Sequence, residues 1–88
     1  MYQKTVVVPN RLGVHARPAA LIVKKAALFA CEITISTGVE EVNGKSIMGV
    51  MTLAAGQGTE LLISASGEDE ISAVDELCAL VASGFGED

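Results

Sequence analysis

From Tyr2 to Val8 the chain is rich in β-branched residues, with Val6 and Val8 on one face against Thr5 and Val7 on the other, and this predicts a strand that Pro9-Asn10 ends. After Gly13 the period changes. Ala19, Ile22, Val23 and Ala26 recur at i, i+3, i+4 and i+7, one buried face of a helix, with Phe29 closing the core and Ala20, Lys24 and Ala27 on the other side. Pro18 fits the first turn of that helix, where the amide it lacks has no intrahelical partner, so the helix starts at about Ala16. Glu32 to Ser36 alternates strictly, a strand with one wet and one dry face. Thr37-Gly38 turns it into a short strand, Val39 to Val42, paired as a hairpin and broken by Asn43-Gly44. Ser46 is placed to cap a short helix from Ile47 to about Leu53, and residues 54 to 59 form a loop.

Glu60 to Ser66 is a further alternating strand pointing Leu61, Ile63 and Ala65 inward, which leaves Leu62 outward for no reason visible in the sequence. Gly67-Glu68-Asp69-Glu70 opens the last helix with three acids where the helix dipole favours negative charge. Ile71, Val74, Leu77, Cys78 and Val81 form its buried face, Gly84 its C-terminal cap, and Gly86-Glu87-Asp88 a frayed tail. The order βαββαβα predicts an α+β fold in one domain spanning 1–88, with three helices covering one face of an open four-stranded antiparallel sheet.

Half of the 88 residues are apolar, enough for one small core. Cys31 and Cys78 lie in apolar contexts without CxxC spacing or a histidine partner, and so read as buried reduced thiols rather than a disulfide or zinc site. No spacing of titratable residues asks for a metal or cofactor. No signal-peptide pattern and no apolar run near the ~20 residues of a membrane span are present, so a soluble cytoplasmic protein without membrane insertion is expected. The net charge of −5 hides an asymmetry: residues 1 to 31 carry Lys4, Arg11, Arg17, Lys24 and Lys25 with no acid, while residues 32 to 88 carry all eleven acids against Lys45. A basic zone around the sole histidine would draw acidic surfaces or anions, whereas the acidic remainder and the shortage of aromatics argue against nucleic acid.

That histidine stands in Gly13-Val14-His15-Ala16-Arg17-Pro18-Ala19-Ala20. The first amides of a helix lack intrahelical acceptors and carry the positive end of its dipole, so an anion beside His15 meets donors there, with Arg17 as an added cation. Two readings stand: a phosphate cradle with an open imidazole, or a solvated histidine at a helix end. Lys45-Ser46-Ile47-Met48-Gly49-Val50-Met51 is a second constellation, because so short a helix cannot bury all four of its large apolar side chains. They mark either a partner surface or methionines that fill core gaps, and Ser46 is either a plain N-cap or a modifiable one.

The two stretches resemble the signatures of HPr, the histidine-containing phosphocarrier family of the bacterial phosphoenolpyruvate-dependent phosphotransferase system, and the resemblance covers nearly the whole chain. Gly13 to Ala19 is similar to the active-site signature and Lys45 to Met51 to the serine-phosphorylation signature. The resemblance implies an open-faced β-sandwich of strand order 1-4-2-3. It implies that His15 takes a phosphoryl group on Nδ1 from phosphorylated enzyme I and passes it to a histidine of an EIIA-type protein. Arg17 and the amides of Ala16 and Arg17 would hold the phosphate. Ser46 would be the target of an HPr kinase/phosphorylase, and Ala16, Ala20, Lys24, Ile47, Met48 and Met51 the docking patch, open also to a transcriptional regulator. The protein would be a monomeric covalent relay rather than an enzyme. Asn10 to Gly13 and Ser83 to Asp88 look like the nitrogen-related branch of the family, Lys45 to Met51 like the sugar branch. Two rival readings remain, a purely regulatory docking protein acting through Ser46 to Met51 and a module binding an anionic metabolite at the Ala16 helix start.

Overall fold

Residues 1–87 are described by the structure, a computed structural model, in which the chain runs β1 (Tyr2–Val7), α1 (Ala16–Ala26), β2 (Glu32–Ser36), β3 (Glu41–Asn43), α2 (Ile47–Thr52), β4 (Glu60–Ser66) and α3 (Glu70–Ala82), followed by a single 3-10 turn at Gly84–Gly86. The strands form one antiparallel sheet in the order β1-β4-β2-β3, so β4 enters between two strands made earlier, as the resemblance implied. Strict alternation on β2 and β4 delivers Ile33, Ile35, Leu61, Ile63 and Ala65 to the helical side, each at most 2% exposed. Ile22 of α1 and Val74, Leu77 and Val81 of α3 cover them. Each of these Ile, Leu and Val side chains contributes about 1.5–3 kcal/mol relative to exposure, which seats the helices. The exposed pairs Lys4–Asp75 (2.9 Å) and Lys25–Glu76 (3.4 Å) trim their position through solvent-screened charge.

Leu62 now has a reason for facing out. On the open side of the sheet it lies opposite Thr5 of β1 and Ser36 of β2, and these neighbours leave it half-buried. The short strand begins later than its sequence suggests. Thr37 N donates to Glu40 O (3.0 Å), and Thr37 Oγ1 lies 3.4 Å from the amides of Val39 and Glu40 as their acceptor, so the turn holds residues 37 to 40 and leaves Val39 92% exposed at its tip. β1 ends at Val7, but Val8 still faces the core and trades backbone hydrogen bonds with Thr59 and Gly58.

The last helix also departs from its predicted face. Ile71 is 58% exposed and Cys78 half-buried, while Ala73 is fully buried, because α3 packs on the sheet through Ala73, Val74, Leu77 and Val81. Asp69 does not cap its own helix. Its carboxylate accepts from Ala30 N (2.8 Å) and Cys31 N (3.0 Å), joining the start of α3 to the start of β2. Those amides, Ala30's first, hold the Asp69 carboxyl below the usual carboxylate range. Both cysteines are free, and burial pushes each thiol up from its ordinary value. Among the described residues no helix is long and apolar enough to cross a membrane.

Candidate functional site

α1 starts where Pro18 and the run of small residues predict. Its first backbone bond is Ala19 N to His15 O (2.9 Å), so the amides of Ala16 and Arg17 precede the hydrogen-bonded ladder and Pro18 contributes none. His15 occupies the N-cap position in an extended conformation (φ −92°, ψ −165°) and makes no side-chain cap bond. Its side chain is 38% exposed, so the ring stands at the surface rather than in the core.

The loop that presents this ring is fixed from below. Gly13 has φ +68°, and a Cβ there would lie 2.3 Å from Ala55 O, so the tight crossing of two backbones admits only glycine. Val14 N donates to Ala55 O (2.8 Å), and Gly13 N to Asn10 O (3.1 Å). Asn10, 1% exposed, closes the loop from within by donating Nδ2 to Gly13 O (2.8 Å) and to Glu87 Oε1 (3.0 Å). Both partners are acceptors, which fixes the amide orientation and leaves Asn10 Oδ1 buried without a hydrogen-bond partner among the described residues.

Glu87 overturns the expectation of a frayed tail. Gly84 ends α3 with φ +74°, in line with its predicted capping role, and Gly86 takes φ +75°. Between them Phe85 has φ +60° and is only 2% exposed. An aromatic residue in this left-handed region is held there by the packing around it. The chain therefore turns back over the α1 start instead of leaving the fold, while Asp88 lies outside the described residues. The Glu87 oxygens come to 3.1 Å (Oε1) and 3.0 Å (Oε2) from His15 Nε2, and Oε2 lies 3.3 Å from Arg17 Nη1. Arg17 Nη1 also donates to Phe85 O (3.0 Å).

The hydrogen bond from His15, before those from Asn10 and Arg17, holds the Glu87 carboxyl below its usual range. An ionised carboxylate only accepts, so the ring proton facing it belongs to Nε2, and in the neutral imidazole Nδ1 keeps the lone pair. The predicted basic zone is correspondingly reduced. Lys4 pairs with Asp75, Lys25 with Glu76 and Arg17 with Glu87, because the acidic second half folds back over the basic first half.

The second constellation lies on α2, which packs beside α1. Ser46 Oγ accepts from Gly49 N (3.1 Å), as an N-cap should, and α2 ends at Thr52, one residue short of expectation. Val50 and Leu53 enter the core, whereas Ile47, Met48 and Met51 are exposed, as are Ala16, Ala20 and Lys24 on α1. Met48 and Met51 therefore do not fill gaps in the core. Sequence reasoning missed Asn10 and Glu87, and a phenylalanine between two glycines near the end of the chain was the available sign of an anchored tail.

Comparison with known proteins agrees with this geometry. Residues 2–83 match the family model described as the PTS HPr component phosphorylation site. The phosphocarrier protein HPr of Treponema pallidum is 49% identical over 88 residues, covering 100% of both chains. The HPr-like protein Crh of Bacillus subtilis is 44% identical over 81 residues, 92% of this chain and 95% of Crh. The crystal structure of an HPr from Thermoanaerobacter tengcongensis superposes with a TM-score of 0.94 at 43% identity, covering 100% of this chain and 99% of that one.

Proposed function

The chain belongs to the HPr family of phosphocarrier proteins of the phosphotransferase system, and we propose that His15 accepts a phosphoryl group from phosphorylated enzyme I and hands it to a histidine of an EIIA-type protein. One observation carries the reading: the sole histidine stands half-exposed at the first turn of α1 with a carboxylate against Nε2, an arrangement that leaves the lone pair of the neutral ring on Nδ1. A carrier needs a group nucleophilic enough to take the phosphoryl unit and a bond labile enough to give it up, and imidazole meets both demands. The amides of Ala16 and Arg17, with the Arg17 guanidinium once it turns from Phe85 O, would hold the new charge. Such a modest cradle suits a group that must leave again. The protein is then a covalent relay acting as a monomer in the cytoplasm, with its turnover supplied by the enzymes on either side.

The test is incubation with phosphoenolpyruvate and a bacterial enzyme I, read by intact mass. One phosphoryl group per chain, lost in acid as a phosphorus–nitrogen bond requires, is the expected result. No adduct, or an acid-stable one, defeats the reading.

The exposed side chains of Ala16, Ala20, Lys24, Ile47, Met48 and Met51 supply the docking surface in this reading, with charge at its rim governing approach. Ser46 sits beside them as the site for an HPr kinase/phosphorylase. A carboxylate can still accept from Gly49 N, so Ser46→Asp should fold normally yet slow transfer from enzyme I by about tenfold or more by repelling an acidic partner surface. Unchanged stopped-flow rates at matched thermal stability would remove Ser46 as a switch. The likeness to Crh favours one further reading, a regulatory protein docking a transcriptional regulator through the same α2 surface. An inert His15 together with such docking would select it.

A further inference from the structure

We propose that Glu87 is the positioning residue of this site: its carboxylate binds Nε2–H of His15, so that Nδ1 is the nitrogen left to attack phosphorus. The inference rests on the carrier reading above, but it is read from a different part of the chain, beyond the residues that the family model spans.

Four observations carry it. Both carboxylate oxygens lie within 3.1 Å of the same ring nitrogen, which fixes the ring in rotation as well as in tautomer. The Glu87 side chain is only 17% exposed and is itself held by Asn10 Nδ2 and Arg17 Nη1, so it does not sweep through solvent. The backbone that delivers it is locked by the buried Phe85 between two left-handed glycines. Finally, the Asn10 amide that binds Glu87 Oε1 also binds Gly13 O, so one buried side chain sets the height of the histidine loop and the place of the carboxylate together.

The step balances without moving a proton. The Nδ1 lone pair forms the new bond to phosphorus, the phosphorus–nitrogen bond of the donor breaks, and its electron pair returns to the donor nitrogen. Nε2 keeps its hydrogen throughout. Positive charge therefore grows on the His15 ring as the phosphoryl group arrives, and the Glu87 carboxylate lies against the edge where that charge is shared. On passing the group onward the same sequence runs in reverse, and Glu87 holds the emptied ring ready for the next donor.

The test compares wild-type protein with Glu87→Ala and Glu87→Gln in two measurements. In nitrogen-15 spectra of the unphosphorylated protein, the wild-type ring should show a protonated Nε2 and an unprotonated Nδ1. Glu87→Ala should average the two signals toward each other, and Glu87→Gln, whose amide oxygen still accepts, should keep them apart. In transfer from enzyme I, Glu87→Ala should be about tenfold slower and Glu87→Gln intermediate, since the ring is still held but the charge is gone. Rates within twofold of wild type, faster transfer in Glu87→Ala, or ring signals unchanged by its loss would overturn the assignment, the second by making Glu87 an obstruction. A wild-type protein that takes no phosphoryl group fails the carrier reading instead, while the ring spectra still decide whether Glu87 holds Nε2–H.

Discussion

An alanine at position 15 should leave the fold standing and take up no phosphoryl group, with incorporation below about 1% of wild type, because the chain has no other histidine. The fold should survive because His15 makes no cap bond and its side-chain contact is with the tail, so the melting temperature should stay within about 5 °C of wild type. The same variant reports on the neighbour. The His15 hydrogen bond is the largest influence holding the Glu87 carboxyl below its ordinary value, so removing it must raise that value toward the usual range. In the native protein the contacts of the Glu87 carboxylate are therefore present above the ordinary glutamate range and are lost as pH falls through the depressed value, and in His15→Ala the remaining contacts with Asn10 and Arg17 should begin to be lost at higher pH. Carbon-13 titration of Glu87 measures this directly. Phosphoryl incorporation at wild-type stoichiometry in His15→Ala would place the acceptor elsewhere and sink the central claim.

Gly13→Ala should be the most damaging small substitution in the loop. Two costs combine: the left-handed conformation at φ +68°, worth about 1–2 kcal/mol for a residue with a Cβ, and a new methyl 2.3 Å from Ala55 O and 2.7 Å from Gly56 Cα. Both obstacles are backbone, so the strand of loop beneath must move, and strain of this kind adds about 1–3 kcal/mol. A total near 3 kcal/mol lowers the melting temperature of a domain this small by roughly 12–24 °C. Gly38→Ala separates the two costs, since Gly38 has φ +96° but nothing within 4 Å of its Cβ position, and should lose only the conformational part. Equal losses in the two variants, measured by thermal unfolding, would show that the crossing with Ala55 is not what fixes the histidine loop.

Most of the architecture was legible because its signals are local. Alternation on Glu32–Ser36 and Glu60–Ser66 and the helical period from Ala19 to Ala26 each reflect a choice between one wet and one dry side, and the folded chain respects them. Ile71 was misplaced for a different reason. Its spacing fits the apolar stripe, but where α3 rests on the sheet is decided by contacts far away in sequence, and these select Ala73. Val39 carries strand chemistry, yet the turn set by Thr37 and Gly38 claims it first. At the site, His15, Arg17 and the helix start could be found from neighbouring residues alone. Glu87 could not, since its partners are brought close only by the fold, and neither could the bond that Asn10 makes to it across a sequence separation of 77 residues.

The strand order has a consequence for when the site exists at all. β1 finds no partner until β4 has been made, the loop carrying His15 rests on Ala55, and the carboxylate on its ring comes from position 87. A ribosome-bound chain with only its first half exposed therefore holds the imidazole without the surroundings that ready it, and loop closure over such separations is slow compared with helix formation. On the proposed carrier function, the surroundings that ready His15 are complete only once Ala55 and Glu87 have joined the fold.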